Sequence, residues 1–223
     1  MDENPPAATA SEAVPGDAPA VDRAAALDAV LTSGGIGAMA GALAGFFWGG
    51  IGGRLAMRIL FLTSDERVRG ITSDDGFEIG VITGATVFLL VFTAILGAMA
   101  GAVYGVLRML LRGPRWLIAI GVGIAAAAGQ GALVVKADGI DFRILEPLWL
   151  AVGLFLLITG AWGVSVVALT ERLLRPGTVF RVLPSQIDRR YGGAFGSTLG
   201  WLALLAITTL GIIDLARDIA KLT

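Results

Sequence analysis

Five glycines stand four residues apart in one apolar run: Gly37, Gly41, Gly45, Gly49 and Gly53. In a helix, positions four apart form a row that climbs slowly around one face. A row without side chains leaves a groove into which a second backbone fits. In lipid that groove is decisive, because helices there associate by close packing and weak hydrogen bonds rather than by escaping water. The pattern constrains how the helices pack before it says anything about their task.

The lipid setting follows from where the charges lie. The chain has 223 residues, of which 56% are hydrophobic, against about 45–50% in a soluble domain. Its charges fall into clusters between the uncharged runs 29–53, 79–107, 116–135, 147–170 and 191–213. Each run meets the roughly 20 residues needed to cross about 30 Å of hydrocarbon. None carries the polar stripe of a soluble amphipathic helix. The fold class is therefore all-α: an integral membrane bundle of five transmembrane helices with Gly-rich small-xxx-small packing. The helices are expected over about 33–62, 79–107, 116–135, 147–171 and 194–216.

Residues 1–28 read as a disordered, acidic, Ala/Pro-rich tail ahead of a transmembrane domain over 29–223. The tail holds Asp2, Glu3, Glu12, Asp17, Asp22 and Asp28 against Arg23 alone, with too little apolar surface to offset the entropy of ordering. It lacks the basic start and adjoining apolar core of a signal peptide. Ala24 to Leu31 is expected as a short helical lead-in on the membrane surface. The first spanning helix is expected to begin near Ser33, with Thr32 or Ser33 capping it, and to run through Arg54 and Arg58 to about Leu62.

Composition removes much chemistry. With no cysteine and no histidine, thiolate nucleophiles, disulfides and thiolate or imidazole metal sites are excluded. No GxxxxGK[ST], HExxH or GxSxG motif is present. No catalytic residue and no cofactor are expected, and the chain leans away from being an enzyme. A net charge of −1 gives no field for nucleic acid. Asp74, Asp75, Asp138 and Asp141 offer oxygen ligands for a hard cation, but their spacing matches no full calcium loop. No metal site is expected.

Orientation rests on basic residues, which favour the cytoplasmic side. The N-terminal segment and the loops 108–115 and 171–190 carry nine, against eight on the other side, or six once Arg54 and Arg58 are placed inside the first helix. This favours a cytoplasmic N-terminus. Arginine outnumbers lysine fifteen to two, which points to a bacterium with a GC-rich genome and hence to the bacterial plasma membrane.

Several motifs are candidates for function. Gly37-Ala-Met-Ala-Gly-Ala42 recurs as Gly97-Ala-Met-Ala-Gly-Ala102, extended by Gly105. In an antiparallel hairpin the copies lie at similar depth, so Gly37, Gly41, Gly45, Gly49, Gly53, Gly97, Gly101 and Gly105 form the candidate helix-packing set. Its alternative use is self-association or a pore lining. Weaker rows are Gly121, Ala125, Gly129; Gly123, Ala127, Gly131; and Gly192, Gly196, Gly200. Arg54 and Arg58 share a helix face near a membrane boundary. They are expected to pair with Asp74, Asp75 or Glu78, or to form an anion, headgroup or gating site. Gln130 lies inside an apolar stretch and seeks a partner among Tyr104, Thr93 and Thr159. Arg54, Arg58, Asp74, Asp75, Glu78 and Gln130 make up the candidate polar or ion-pair site. Arg172, Arg175, Arg181, Arg189 and Arg190 suit anionic lipid headgroups, at about 1 kcal/mol per close arginine. Trp116, Trp149 and Trp201 read as interfacial belt residues.

Helix 2 ends in Arg108-Met-Leu-Leu-Arg112 and helix 4 in Arg172-Leu-Leu-Arg175, an echo that hints at a duplicated hairpin with an added fifth helix. The stretch Gly52-Gly-Arg-Leu-Ala-Met-Arg58, followed by Thr72-Ser-Asp-Asp-Gly76, resembles uncharacterised multi-pass membrane proteins of actinobacterial type. The likeness covers about residues 50–90 and implies no activity, cofactor or partner. A chain rich in packing motifs and poor in chemistry points to an accessory or scaffold subunit. Its expected partners are membrane lipids and either itself or another membrane protein. The alternatives are a small channel or transporter for an ion or polar solute, and a lipid-modifying enzyme using Asp74 or Asp75.

Overall fold

The computed structural model describes residues 23–64, 84–137, 141–175 and 194–222. All regular structure among them is helical: α1 (Arg23–Ala44), a π-helical segment (Gly45–Gly52), α2 (Gly53–Thr63), α3 (Gly84–Leu107), α4 (Arg115–Val134), a one-turn α5 (Asp141–Ile144), α6 (Leu148–Leu173) and α7 (Ala194–Leu222). Five stretches are long and apolar enough to cross a membrane: Ala26–Thr63, Thr86–Leu107, Arg115–Val134, Leu148–Leu173 and Phe195–Leu222. By their main contacts, α3 packs on α1, α1 on α6, α6 on α4, and α4 on α7.

The first spanning unit departs from expectation at its start. The segment Ala24 to Leu31 is not a separate surface lead-in but the opening of α1, continuous from Arg23. Nor does Ser33 cap a helix. It is fully buried inside α1, and its hydroxyl donates to the carbonyl of Gly105 on α3. Thr63 and Ser64 close the unit. The Ser64 Oγ donates to the Glu146 carbonyl at 3.1 Å and accepts from the Glu146 N–H at 2.9 Å. This fastens α2 to the approach to α6.

The π segment sits where side chains do least to hold α winding: five of the nine residues from Gly45 to Gly53 are glycine. The Gly53 N–H reaches back to the Trp48 carbonyl, five residues away, as π winding requires. The wider turn rotates the face that follows. Gly49 lies toward Thr93 of α3 and Gly50 toward Leu90 and Thr93, whereas a Cβ on Gly53 would meet nothing within 4 Å. The sequence row of five thus leaves the α3 contact at its last member. Phe46, Phe47 and Trp48 project outward, and the Trp48 indole N–H donates to Ser165 Oγ on α6 at 2.9 Å.

Helix α4 uses both of its small-residue rows, one for each neighbour. Gly123, Ala127 and Gly131 lie against Val164, Gly160 and Leu156 of α6. Gly121 and Gly129 lie against Trp201 and Ile207 of α7, and Gly211 of α7 approaches the backbone of Ala128. Prolines open two spans: Pro114 and Pro147 hold the cap positions of α4 and α6 in extended conformation. Gly113, at φ 143°, takes the left-handed region that favours glycine, and so makes the short turn from α3 to α4 possible.

Two apolar clusters fill the bundle, one reaching from one end to its middle and the other toward the opposite end. One joins Tyr104, Leu111, Ile118, Trp162, Val166 and Leu204 around the α3–α4 turn. The other joins Leu60, Val135, Phe142, Leu145, Val152 and Leu215, with Phe142 edge-on to Phe155 at 5.6 Å.

Candidate functional site

Three features combine order, burial and polarity: a glycine seam between α1 and α3, and one ion cluster at each end of the bundle.

In the seam, the backbones of antiparallel α1 and α3 touch. A Cβ on Gly37 would come within 2.8 Å of the Gly105 Cα, one on Gly41 within 2.8 Å of the Gly101 Cα, and one on Gly45 within 3.1 Å of the Gly97 Cα. Real Cβ atoms essentially never come under 3.0 Å, and at the third level a Cβ on Gly45 would also overlap the Thr93 carbonyl oxygen and one on Gly97 would lie 2.9 Å from the Gly45 Cα, so every level needs glycine on both helices. Below Gly45 the opposing residue changes. A Cβ on Gly49 would meet the Thr93 side chain at 2.9 Å, so there one side chain fills the groove. The Thr93 hydroxyl donates to Leu89 and Leu90 of its own helix. A third helix reaches the seam through Trp162 of α6, whose indole N–H donates to the Gly41 carbonyl at 3.3 Å.

The first ion cluster lies where α3 ends, α4 begins and α6 ends. Glu171, with its side chain 14% exposed, pairs with Arg108 through Oε1 and with Arg115 through Oε2, the latter at 3.2 Å. Both arginines approach through Nε. Tyr104 lies one turn before Arg108 and within electrostatic range of Arg108 and Glu171. Its hydroxyl, like the Oγ1 of Thr170 beside Glu171, is buried without a hydrogen-bond partner among the described residues. Sequence reading placed Arg108 and Arg115 in a basic loop and Glu171 in another, and missed the triad. The signal was available in the like-facing ends of the second and fourth spans.

The second cluster lies at the opposite end. Lys136, after α4, reaches Asp214 at 3.3 Å and Asp218 at 3.6 Å on α7, and Lys221 reaches Asp218 at 3.2 Å. Asp218 is buried. The two lysines offset a carboxylate that would be costly to bury alone.

The remaining sequence candidates are dispersed. Arg54 is half-buried on α2, with Nε and Nη2 buried. Arg58 is exposed and lies over the Phe61 ring, 5.4 Å from its centroid. Asp74, Asp75 and Glu78 lie outside the described residues, as do Asp138, Arg181, Arg189 and Arg190. Gln130 is half-buried and bonds to none of its expected partners: Thr93 and Thr159 donate to carbonyls of their own helices, and the Tyr104 hydroxyl has no partner. The physical reason is helical geometry, since a threonine hydroxyl finds the carbonyl four residues back at no cost in order. Arg172 and Arg175 are exposed at the end of α6. Trp116 and Trp149 are exposed near span ends, and Trp201 donates its N–H to the Arg112 carbonyl at 3.1 Å.

The helices and their packing are those of a multi-pass α-helical membrane protein. No family model, no curated protein and no solved structure matches the chain.

Proposed function

We propose that this chain is a non-catalytic membrane scaffold, acting by lateral association with another membrane protein or with itself. The observation that supports this reading is the α1–α3 seam. Backbone-on-backbone contact at the levels of Gly37, Gly41 and Gly45 locks α1 and α3 into one tightly packed pair, which suits a fixed platform for a second membrane protein. The outward face of α3, with Phe88, Phe92, Ile95, Met99 and Val103 exposed, is an apolar surface on a rigid support. Isolation in mild detergent at native abundance tests the reading. A stoichiometric partner or a stable homo-oligomer, with no solute flux in proteoliposomes, is the expected result.

The bacterial plasma membrane with a cytoplasmic N-terminus remains our reading of location. It is supported by Arg108, Arg112, Arg115, Arg172 and Arg175 lying at the end of the bundle where α1 starts. Because the chain has no cysteine, single cysteines introduced at Arg112 and Glu146 read the orientation cleanly. An impermeant thiol reagent applied to intact cells should label position 146 and spare position 112.

A second reading, a small channel or transporter, draws on Arg54. An arginine with buried nitrogens inside a membrane-spanning helix is a default marker of a polar path. Flux abolished by Arg54→Ala would favour it over the scaffold.

A further inference from the structure

We propose that Arg108 and Arg115, held side by side by Glu171, bind a phosphate group, carried by a phospholipid headgroup or free in solution. The argument begins with charge. Two guanidiniums share one carboxylate, so the cluster carries a surplus positive charge in a position that is largely buried on the Arg108 side. Glu171 stands in the last turn of α6, where the helix dipole disfavours a carboxylate. A carboxylate kept there, with one oxygen on each arginine, fixes the spacing of two cations that would otherwise repel.

The donors left over suit phosphate. Among the described residues Arg108 donates to Glu171 only through Nε, and Arg115 meets Glu171 through the same atom. The Nη donors of a guanidinium form the planar fork that matches phosphate oxygens two at a time. Arg115 is also the first residue of α4, and the cap residue Pro114 supplies no side-chain acceptor to the helix end. The first backbone N–H groups and the positive end of the dipole therefore add to the same attraction.

Two hydroxyls neighbour the cluster along the chain, Tyr104 one turn before Arg108 and Thr170 next to Glu171. Tyr104 Oη and Thr170 Oγ1 are both buried with no hydrogen-bond partner among the described residues. A buried hydroxyl without a partner is unusual in a native structure and calls for an explanation such as a ligand. An oxyanion entering the cluster supplies the acceptor that both lack. The depth also fits: the cluster lies where three spans end, with exposed Trp116 beside it, which is the level of lipid phosphates.

The test uses the full chain in neutral detergent, with thermal unfolding followed as phosphatidylglycerol, phosphatidylcholine or inorganic phosphate is titrated in. Phosphatidylglycerol should raise the melting temperature, and Arg115→Gln should weaken its apparent affinity by about tenfold or more, the scale of a lost charge-assisted hydrogen bond. Arg115→Lys, which keeps the charge but loses the fork, should also bind several-fold more weakly. Arg112→Gln removes the same charge from an exposed neighbour and should change affinity less than about twofold, within the range of an exposed charge. An Arg115-dependent shift with inorganic phosphate as well as lipid assigns recognition to phosphate itself. A shift with phosphatidylglycerol alone assigns the site to a headgroup. An equal, Arg115-independent shift with phosphatidylglycerol and phosphatidylcholine, equal loss in Arg112→Gln and Arg115→Gln, undiminished binding by Arg115→Lys, or no shift with any of the three phosphate sources overturns the proposal.

Discussion

The indole N–H of Trp162 donates across 3.3 Å to the carbonyl of Gly41, and Gly41 is also the residue on which α3 is seated, against Gly97 and Gly101. One glycine thus joins three helices. Its missing side chain admits α3. A carbonyl oxygen has two lone pairs, so bonding Trp162 need not cost α1 its own hydrogen bond. Trp162 is itself buried in the cluster around Val166 and Tyr104. The node therefore couples the α1–α3 pair to the α4–α6 pair near the middle of the bundle.

Gly41→Leu, or Gly97→Leu on the opposing helix, should separate α1 from α3. The first added carbon already falls on backbone atoms, with the Gly101 Cα 2.8 Å from a Cβ on Gly41 and the Gly45 Cα 2.9 Å from one on Gly97. Backbone cannot swing aside as a side chain can, so the cost should reach or exceed the about 1–3 kcal/mol of ordinary overpacking. Gly53→Leu belongs to the same sequence row but enters open space, and should leave stability unchanged. Thermal melts by circular dichroism in one detergent compare the three. Equal melting temperatures for Gly41→Leu and Gly53→Leu would show that the seam does not hold the helices together.

Trp162→Phe removes the hydrogen bond while keeping an aromatic ring in the cluster. Hydrogen bonds between membrane helices average about 0.6 kcal/mol, with a maximum near 1.7 kcal/mol, and a separation of 3.3 Å places this one toward the weaker end. The phenylalanine variant should therefore melt only slightly below the parent. Trp162→Ala opens a cavity in the buried cluster and should cost about 3–5 kcal/mol. Combining Trp162→Phe with Gly41→Leu should give less than the sum of the separate losses, because both act on one node. Chemical denaturation of the four proteins measures the coupling.

The spans and their small-residue packing are legible from the chain because bilayer thickness fixes how long an uncharged run must be, and because a row of glycines has few uses other than close approach. What the sequence withholds depends on register between helices. Ser33 looks like a cap until α3 is placed beside it, and then its hydroxyl faces the Gly105 carbonyl. Glu171 and Arg108 are 63 residues apart, and nothing local to either predicts their pairing. The π segment depends on local winding that hydrophobic periodicity does not report. Gln130 misleads for a related reason, since burial of a polar side chain indicates a need for a partner but not which helix supplies one.

The triad around Glu171 should respond unequally to loss of its members. Arg115 is 64% exposed while the Arg108 side chain is 15% exposed. Arg115→Gln should thus cost at most about 1 kcal/mol, as for a surface pair. Glu171→Gln should cost more than either arginine substitution alone, because it leaves two guanidiniums facing one another with no carboxylate between them, and breaking a buried pair is typically worth about 3–5 kcal/mol. Part of that loss should be recovered in the double variant Glu171→Gln/Arg108→Gln, which removes the stranded charge. Melting temperatures for the set decide the order, and a Glu171→Gln protein as stable as Arg115→Gln would contradict a bridging role.

At the opposite end, Asp218 should matter more than Asp214, although both face Lys136. Asp214 is half exposed, with its side chain 52% accessible, whereas that of Asp218 is 10% accessible and touches Lys136 and Lys221 together. Asp214→Asn should shift stability by less than about 0.5 kcal/mol, in the range of exposed pairs. Asp218→Asn leaves Lys136 with one exposed partner and loosens the end of the join between α4 and α7, whose remaining contacts include Gly211 against Ala128, Ile207 against Gly129 and Trp201 against Gly121. Because the damage is local to α7, it should appear first as faster proteolysis between α6 and α7 and as greater hydrogen exchange over Ala194–Leu222, with α1 and α3 unchanged. Uniform exchange across all five spans would mean instead that α7 is not held as a separate unit by this cluster.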